Sequence, residues 1–316
     1  LGGYLGAQVE HLNQLQALAW LPWQMMCLFA LRRSNALRAT LALAALIALQ
    51  VLAGHTQSLY ICLVALGLTA GALAIAPTDA RRAGNASRII TAIARVVTLG
   101  AAGTLALALA GAQLMPTLEL AAQSARSGGL PYNEVGAFSW RPWVVARALM
   151  PTYGDPLFPE YVAYVGAAGL ALALLGALAS FRARVAPTRS WRNAALALAL
   201  TVAGFVLALG IATPLFGILY QFAPGFNLFR AQARWLALLA VGASMLVGLG
   251  TQAVWEGVSR RLVVGWLLSW CGLIALGALG VWLGARFSPE PEYQTLPAPA
   301  VLTGWLVALF GVTVWI

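Results

Sequence analysis

The chain contains no lysine. All 19 of its basic residues are arginine, and only 9% of its 316 residues are charged, against roughly 25% in an ordinary soluble domain. A net charge of +10 would otherwise suggest nucleic acid, but these arginines are scattered through short connecting segments rather than gathered in one basic patch. The missing lysine together with abundant Ala, Gly and Leu fits a coding bias. Histidine is scarce too. The two present, His11 and His55, lie far apart in sequence, which argues against a metal site built on imidazoles. The three cysteines, Cys27, Cys62 and Cys271, each fall inside an apolar run without CxxC spacing, so neither a disulfide framework nor a thiolate metal site is indicated. There is no P-loop, no GxGxxG and no GxSxG. No repeat of fixed period and no signal peptide is visible. The chain opens at Leu1 and stops inside an apolar run, so it is expected to be a piece of a longer protein.

What the chain has in plenty is long apolar stretches, with 61% hydrophobic residues. Several approach or exceed the ~18–20 residues that cross a bilayer core. The expected fold is an all-α polytopic transmembrane bundle, one domain over residues 1–316, with about nine spans. They are read as a Pro22-kinked helix ending at Leu31, then 39–53, 58–76, 89–113, 161–181, 193–211, 235–254, 262–285 and a ninth from Val301. Residues 114–160, 212–234 and 286–300 form the longer connections on one side.

Alternating these spans divides the arginines unequally. Arg32, Arg33, Arg38, Arg81, Arg82, Arg88, Arg182, Arg184, Arg189, Arg192, Arg260 and Arg261 fall on one side. The other side holds Arg126, Arg141, Arg147, Arg230, Arg234 and Arg286, and Arg95 lies within a helix. The positive-inside rule makes the richer side cytoplasmic. The more polar turns then face outward, where nucleotide cofactors are scarce.

Four outward segments carry the candidate chemistry. In AGHTQSLY, Gly54 allows a tight reversal and His55 can exchange a proton near neutral pH. Gln57 beside it can hold a sugar hydroxyl or a phosphate oxygen. The same residues also suit a helix cap. In FNLFRAQAR, Asn227 is a suitable N-cap, which would set Arg230 and Arg234 four apart on one face of a helix start. That pair suits a lipid phosphate, or simply ordinary headgroups. In QLMPTLELAAQSAR, Pro116 is expected to break the preceding helix. Glu119, Gln123 and Arg126 would then line the polar side of an interfacial helix, or close on one another as a solvated stripe. In MPTYGDPLFPEY, Tyr153, Asp155 and Glu160 stand near a helix mouth. Asp155 there is either a base or metal ligand, or a turn former.

Taken in order, HLNQLQALAWLPW, GHTQSLY, QLMPTLELAAQSAR, MPTYGD, TPLFGILYQFAPGFNLFRAQAR and the glycine-rich helix after them resemble bacterial YfhO-family membrane proteins. That family looks like a branch of the GT-C multi-spanning glycosyltransferases. The resemblance implies sugar transfer from a polyprenyl-phosphate sugar to a surface polymer or lipid acceptor, on the outer face of the bacterial cytoplasmic membrane. GT-C enzymes place a catalytic carboxylate in their first outer loop, a region expected to lie before Leu1. The groups carried over are Glu10, His11, His55 and Asp155 for catalysis, and Gln57, Glu119, Tyr153, Arg230 and Arg234 for substrate. No organic cofactor is implied, and a divalent metal is left open. The alternatives are a non-enzymatic transporter of lipid or polymer, and a scaffold for surface-polymer assembly.

Overall fold

A computed structural model describes residues 2–31, 36–75, 85–124, 127–151, 157–182 and 189–315. Among them there are helices and no strands. In chain order the α-helices are Gly3–Ala7 (α1), Leu12–Ala19 (α2), Leu21–Ala30 (α3), Ala36–Leu52 (α4), Thr56–Ile75 (α5), Asn85–Leu109 (α6) and Gly111–Ala122 (α7). They continue with Tyr132–Val135 (α8), Val145–Ala148 (α9), Ala167–Arg182 (α10), Arg189–Ala208 (α11), Pro214–Phe222 (α12), Leu236–Glu256 (α13), Arg260–Phe287 (α14) and Pro299–Trp315 (α15).

The all-α expectation holds, but among the described residues fewer than the nine expected helices are long and apolar enough to cross a membrane. Among the described residues, three helical stretches are long and apolar enough to span a bilayer: Thr56–Leu73, Gln232–Glu256 and Arg260–Phe287. A fourth arises if the bent pair of α6 and α7 is one broken span. The apolar stretches Ala36–Leu52, Ala167–Phe181, Arg192–Ala208 and Pro299–Trp315 are shorter. Helices α4 and α15, at 17 residues each, rise only ~25 Å at ~1.5 Å per residue, below a ~30 Å hydrocarbon core. The first expected span is two short helices that part at Trp20, with Pro22 in the opening turn of the second, where a missing N–H costs nothing.

Two further boundaries differ from expectation. The long helix bends by 83° between α6 and α7, at Ala110 rather than at Pro116. The Ala110 amide closes α6 on the Ala106 carbonyl at 2.9 Å, and its own carbonyl accepts from the Leu114 amide to open α7. Pro116 sits inside α7. The helix expected from Tyr161 begins only at Ala167. The chain before it is drawn out by two backbone bonds, from Ala163 N–H to the Ala148 carbonyl at 2.9 Å and from Gly3 N–H to the Tyr164 carbonyl at 2.6 Å.

The chain packs as two compact units, residues 9–130 and residues 1–8 with 131–316. In the first, apolar helices close over a polar contact. Gln24 donates its amide N–H to Gln50 Oε1 at 3.0 Å, and Gln50 donates to the Ala17 carbonyl at 2.6 Å. All three residues are fully buried.

In the second unit, α13 is sandwiched between α10 and α11 through glycine. A Cβ on Gly250 would strike the Leu172 carbonyl, and one on Gly176 the Leu246 carbonyl. Gly204 meets the α13 backbone at Leu239 in the same way, and Gly242 meets Ala197 and Thr201 of α11. Backbone-to-backbone approach through small residues is how helices associate where lipid removes the hydrophobic driving force. Trp266 and Trp270 of α14 turn inward, donating to the Ala171 carbonyl and to Thr313 Oγ1, each at 2.9 Å. The remainder of α14 faces outward, since only 11% of its apolar stretch is buried against the chain.

Candidate functional site

In the second unit the segments between helices assemble around a buried Trp140. Its amide donates to the Ala208 carbonyl at 2.7 Å and its indole N–H to the Tyr161 carbonyl at 3.1 Å. Ala231 and Phe138 both adopt the left-handed backbone region, with φ of 63° and 54°. Each such non-glycine residue costs roughly 1–2 kcal/mol. The two are tied together: Ala231 N–H donates to the Ala137 carbonyl at 3.0 Å, and Ala233 N–H to the Phe138 carbonyl at 3.1 Å. Gln232 locks the crossing from inside. It donates to the Val135 carbonyl at 2.9 Å and accepts from the Trp235 indole at 3.0 Å. Strained backbone held this firmly is characteristic of sites where geometry matters.

This arrangement sets the position of Arg234. Its Nε and one terminal nitrogen both donate to Glu160 Oε1, at 3.0 and 2.7 Å. The side chains are only 18% and 8% exposed. Tyr4 donates to the Arg234 carbonyl at 3.2 Å. Glu160 Oε2 is buried and has no hydrogen-bond partner among the described residues. A buried polar oxygen left bare is expensive, and it is the one part of this carboxylate able to accept a proton or a ligand hydrogen bond.

Around the pair lies a wider set of charged and phenolic groups. Arg141 Nε stands 3.2 Å from Glu290 Oε1 and its guanidinium lies over the Trp143 ring. The Trp143 indole donates to Glu290 Oε2 at 2.6 Å. Burial pushes the Tyr161 phenol up, the neighbouring Arg141 opposing and Glu290 and Glu160 reinforcing the shift. Burial followed by a hydrogen bond with Glu292 raises Tyr293 further. Both phenols therefore stay neutral over a wide pH range. Among the described residues, no three His, Cys, Asp or Glu side chains gather closely enough to hold a metal ion.

The residues singled out in the sequence fare differently. Arg230 and Arg234 do not share a helix face. Residues Phe226–Leu228 and Gln232–Trp235 form separate 3-10 turns with Ala231 between them, and Asn227 caps no helix. Left-handed Ala231 interrupts the expected helix, and α13 starts only at Leu236. Arg230 is exposed, whereas Arg234 is committed to Glu160.

In the first unit, Gly54 takes φ +76° at the α4–α5 reversal, close to the Gln113 side chain at the α6–α7 bend. His55 Nδ1 accepts from Ser58 N–H at 3.1 Å, capping α5, and Gln57 is buried beside it. Glu10 is exposed. His11 precedes α2, and its Nδ1 is buried without a hydrogen-bond partner among the described residues. Glu119 is exposed on α7, a helix with no buried residue. Tyr153, Asp155 and Arg126 lie outside the described residues.

From the sequence, Glu160 stands only near a helix mouth, and Arg141, Glu290 and Tyr293 carry no chemical role. The chain matches no family model, no curated protein and no solved structure.

Proposed function

We propose that the protein is a membrane glycosyltransferase of the GT-C kind. It would move a sugar from a polyprenyl-phosphate donor to a cell-surface acceptor on the outer face of the bacterial cytoplasmic membrane. The observation that carries this reading is the Glu160 carboxylate, with one oxygen fastened by Arg234 and the other buried and bare. The motif order resembling YfhO-family proteins supports it, as do helices long and apolar enough to cross a bilayer.

In this scheme Glu160 Oε2 takes the proton of the acceptor hydroxyl as that oxygen bonds to the anomeric carbon. The bond from that carbon to the lipid-phosphate oxygen breaks, and the phosphate departs with the electron pair. General-base catalysis of this kind contributes typically ~10²–10⁴-fold. Arg230, exposed at the edge of the same loop, is assigned to the leaving phosphate. Tyr161, held neutral by burial, donates to a sugar hydroxyl.

The test is consumption of a polyprenyl-phosphate sugar by membranes carrying the full-length protein. Glu160→Gln keeps the shape and one hydrogen bond to Arg234 but cannot take a proton, so transfer should fall at least ~100-fold at unchanged levels of folded protein. Wild-type turnover in that variant would remove Glu160 from the reaction.

The buried Gln24–Gln50 contact favours a second reading, a non-enzymatic transporter of lipid or polymer, because uncharged amides inside an apolar bundle are the kind of group that lines a passage. Flux of labelled lipid across vesicles without donor consumption would select it.

A further inference from the structure

A separate, shallow and open cavity of about 450 Å³ lies at the C-terminal end of α14, lined by Trp282, Ala285, Arg286, Gln294 and Leu296. It shares no residue with the Glu160–Arg234 pair. Two of its walls come from one helix face, because Trp282 and Arg286 are four residues apart in α14. The other wall is the returning loop, and that loop is pinned. Ser288 N–H closes the helix on the Gly284 carbonyl at 2.9 Å, and Gln294 donates to the Ser288 carbonyl at 3.3 Å. Arg147 donates to the Thr295 carbonyl, and Tyr293 is buried beneath the Arg147 guanidinium. Gln294 and Leu296 are therefore held against the last turn of α14 before any ligand arrives.

Arg286 supplies the charge. It is exposed, and among the described residues it makes no ion pair or hydrogen bond. Its neighbours in the fold behave otherwise: Arg141, Arg147 and Arg234 are all engaged. The surroundings are apolar and outward-facing, with Trp282 54%, Phe287 71% and Leu296 53% exposed. Helix α14 has 28 residues, a rise of ~42 Å at ~1.5 Å per residue, longer than a ~30 Å hydrocarbon core. Its ends, and with them Arg286, reach the headgroup layer when it crosses. A guanidinium fork matches phosphate geometry, while tryptophan and leucine suit the glycerol and upper acyl region.

We propose that this cavity binds the phosphate headgroup of a membrane lipid, with Arg286 holding the phosphate and Trp282 and Leu296 flanking the lipid backbone. The apolar exposed rim selects a lipid over a soluble anion.

The test uses the purified full chain in phosphatidylcholine nanodiscs containing phosphatidylglycerol, with retained lipid read by native mass spectrometry. Wild type should retain phosphatidylglycerol over phosphatidylcholine, and Arg286→Ala should weaken that retention by about tenfold, the effect of losing one charged hydrogen-bonding group. Arg261→Ala, an exposed arginine at the opposite end of the same helix, should leave it unchanged. Equal loss in both variants, or none in Arg286→Ala, would overturn the proposal. Displacement of the lipid by millimolar inorganic phosphate would mean that a free anion, not a lipid, is the occupant.

Discussion

Removing Arg234 should destabilise the protein more than removing Glu160, and removing both should restore much of the loss. The two side chains are 18% and 8% exposed, and both guanidinium contacts land on the same carboxylate oxygen. With Arg234→Met, Glu160 keeps neither contact on Oε1, and Oε2 is already bare. A buried carboxylate left in that state costs about 3–5 kcal/mol. That is a large part of the ~5–15 kcal/mol that holds a typical domain together. Glu160→Gln strands the guanidinium instead, but that group is better exposed and keeps one amide acceptor. A loss nearer ~1.5–3 kcal/mol follows, the range for hydrogen bonds to charged groups.

The double variant buries neither charge, so its loss should fall short of the summed singles by roughly 2–3 kcal/mol, within the coupling range for residues in contact. Thermal unfolding of the four proteins in one detergent closes the cycle. Additive losses, with coupling below ~0.5 kcal/mol, would mean the pair is solvated and the carboxylate is not held in a dry site.

Three other outcomes follow from the packing. Gly250→Ala drives a methyl into the Leu172 carbonyl and should cost ~1–3 kcal/mol by overpacking; an unchanged melting temperature would show that α10 and α13 do not approach this closely. Gln50→Leu leaves the Gln24 amide and the Ala17 carbonyl without their partner, a loss of ~1–3 kcal/mol that Gln24→Leu in the same chain should partly recover in a denaturation series. Tyr293 is held above its ordinary value of 10.0 by burial and then Glu292, so the folded state keeps a proton that the unfolded chain releases. Stability should be intact below pH ~10 and decline as pH rises past it. Tyr293→Phe should flatten that alkaline decline in a pH series of melting curves.

The sequence made the helices legible because each apolar run is a local signal, and Gly54 marked its reversal because only the turn needs φ +76°. Distant pairings left no such trace. Glu160 and Arg234 are 74 residues apart, as are Gly176 and Gly250, and no spacing rule joins them. The expected Arg230–Arg234 helix face failed at Ala231, where tertiary bonds to Ala137 and Phe138 hold a left-handed alanine that propensity would not choose. Pro116 drew attention away from Ala110 because proline is the stronger local breaker, yet the 83° bend lies between α6 and α7 at Ala110. Fewer described helices reach bilayer length than the nine expected, because hydropathy registers how apolar a run is more readily than how far it reaches.

The glycine contacts along α13 also limit how the protein can move. Helices normally slide by letting interlocked side chains hop between rotamers, a low barrier crossed in small steps. Where main chain rests this closely at Gly176, Gly250, Gly204 and Gly242, any slide along the helix axis would bring a side chain into a space that only glycine fits. The three helices must travel as a single plate. Any opening that admits a bulky substrate would then have to come from the connecting segments at its rim or from the outward-facing α14, not from shear within the plate.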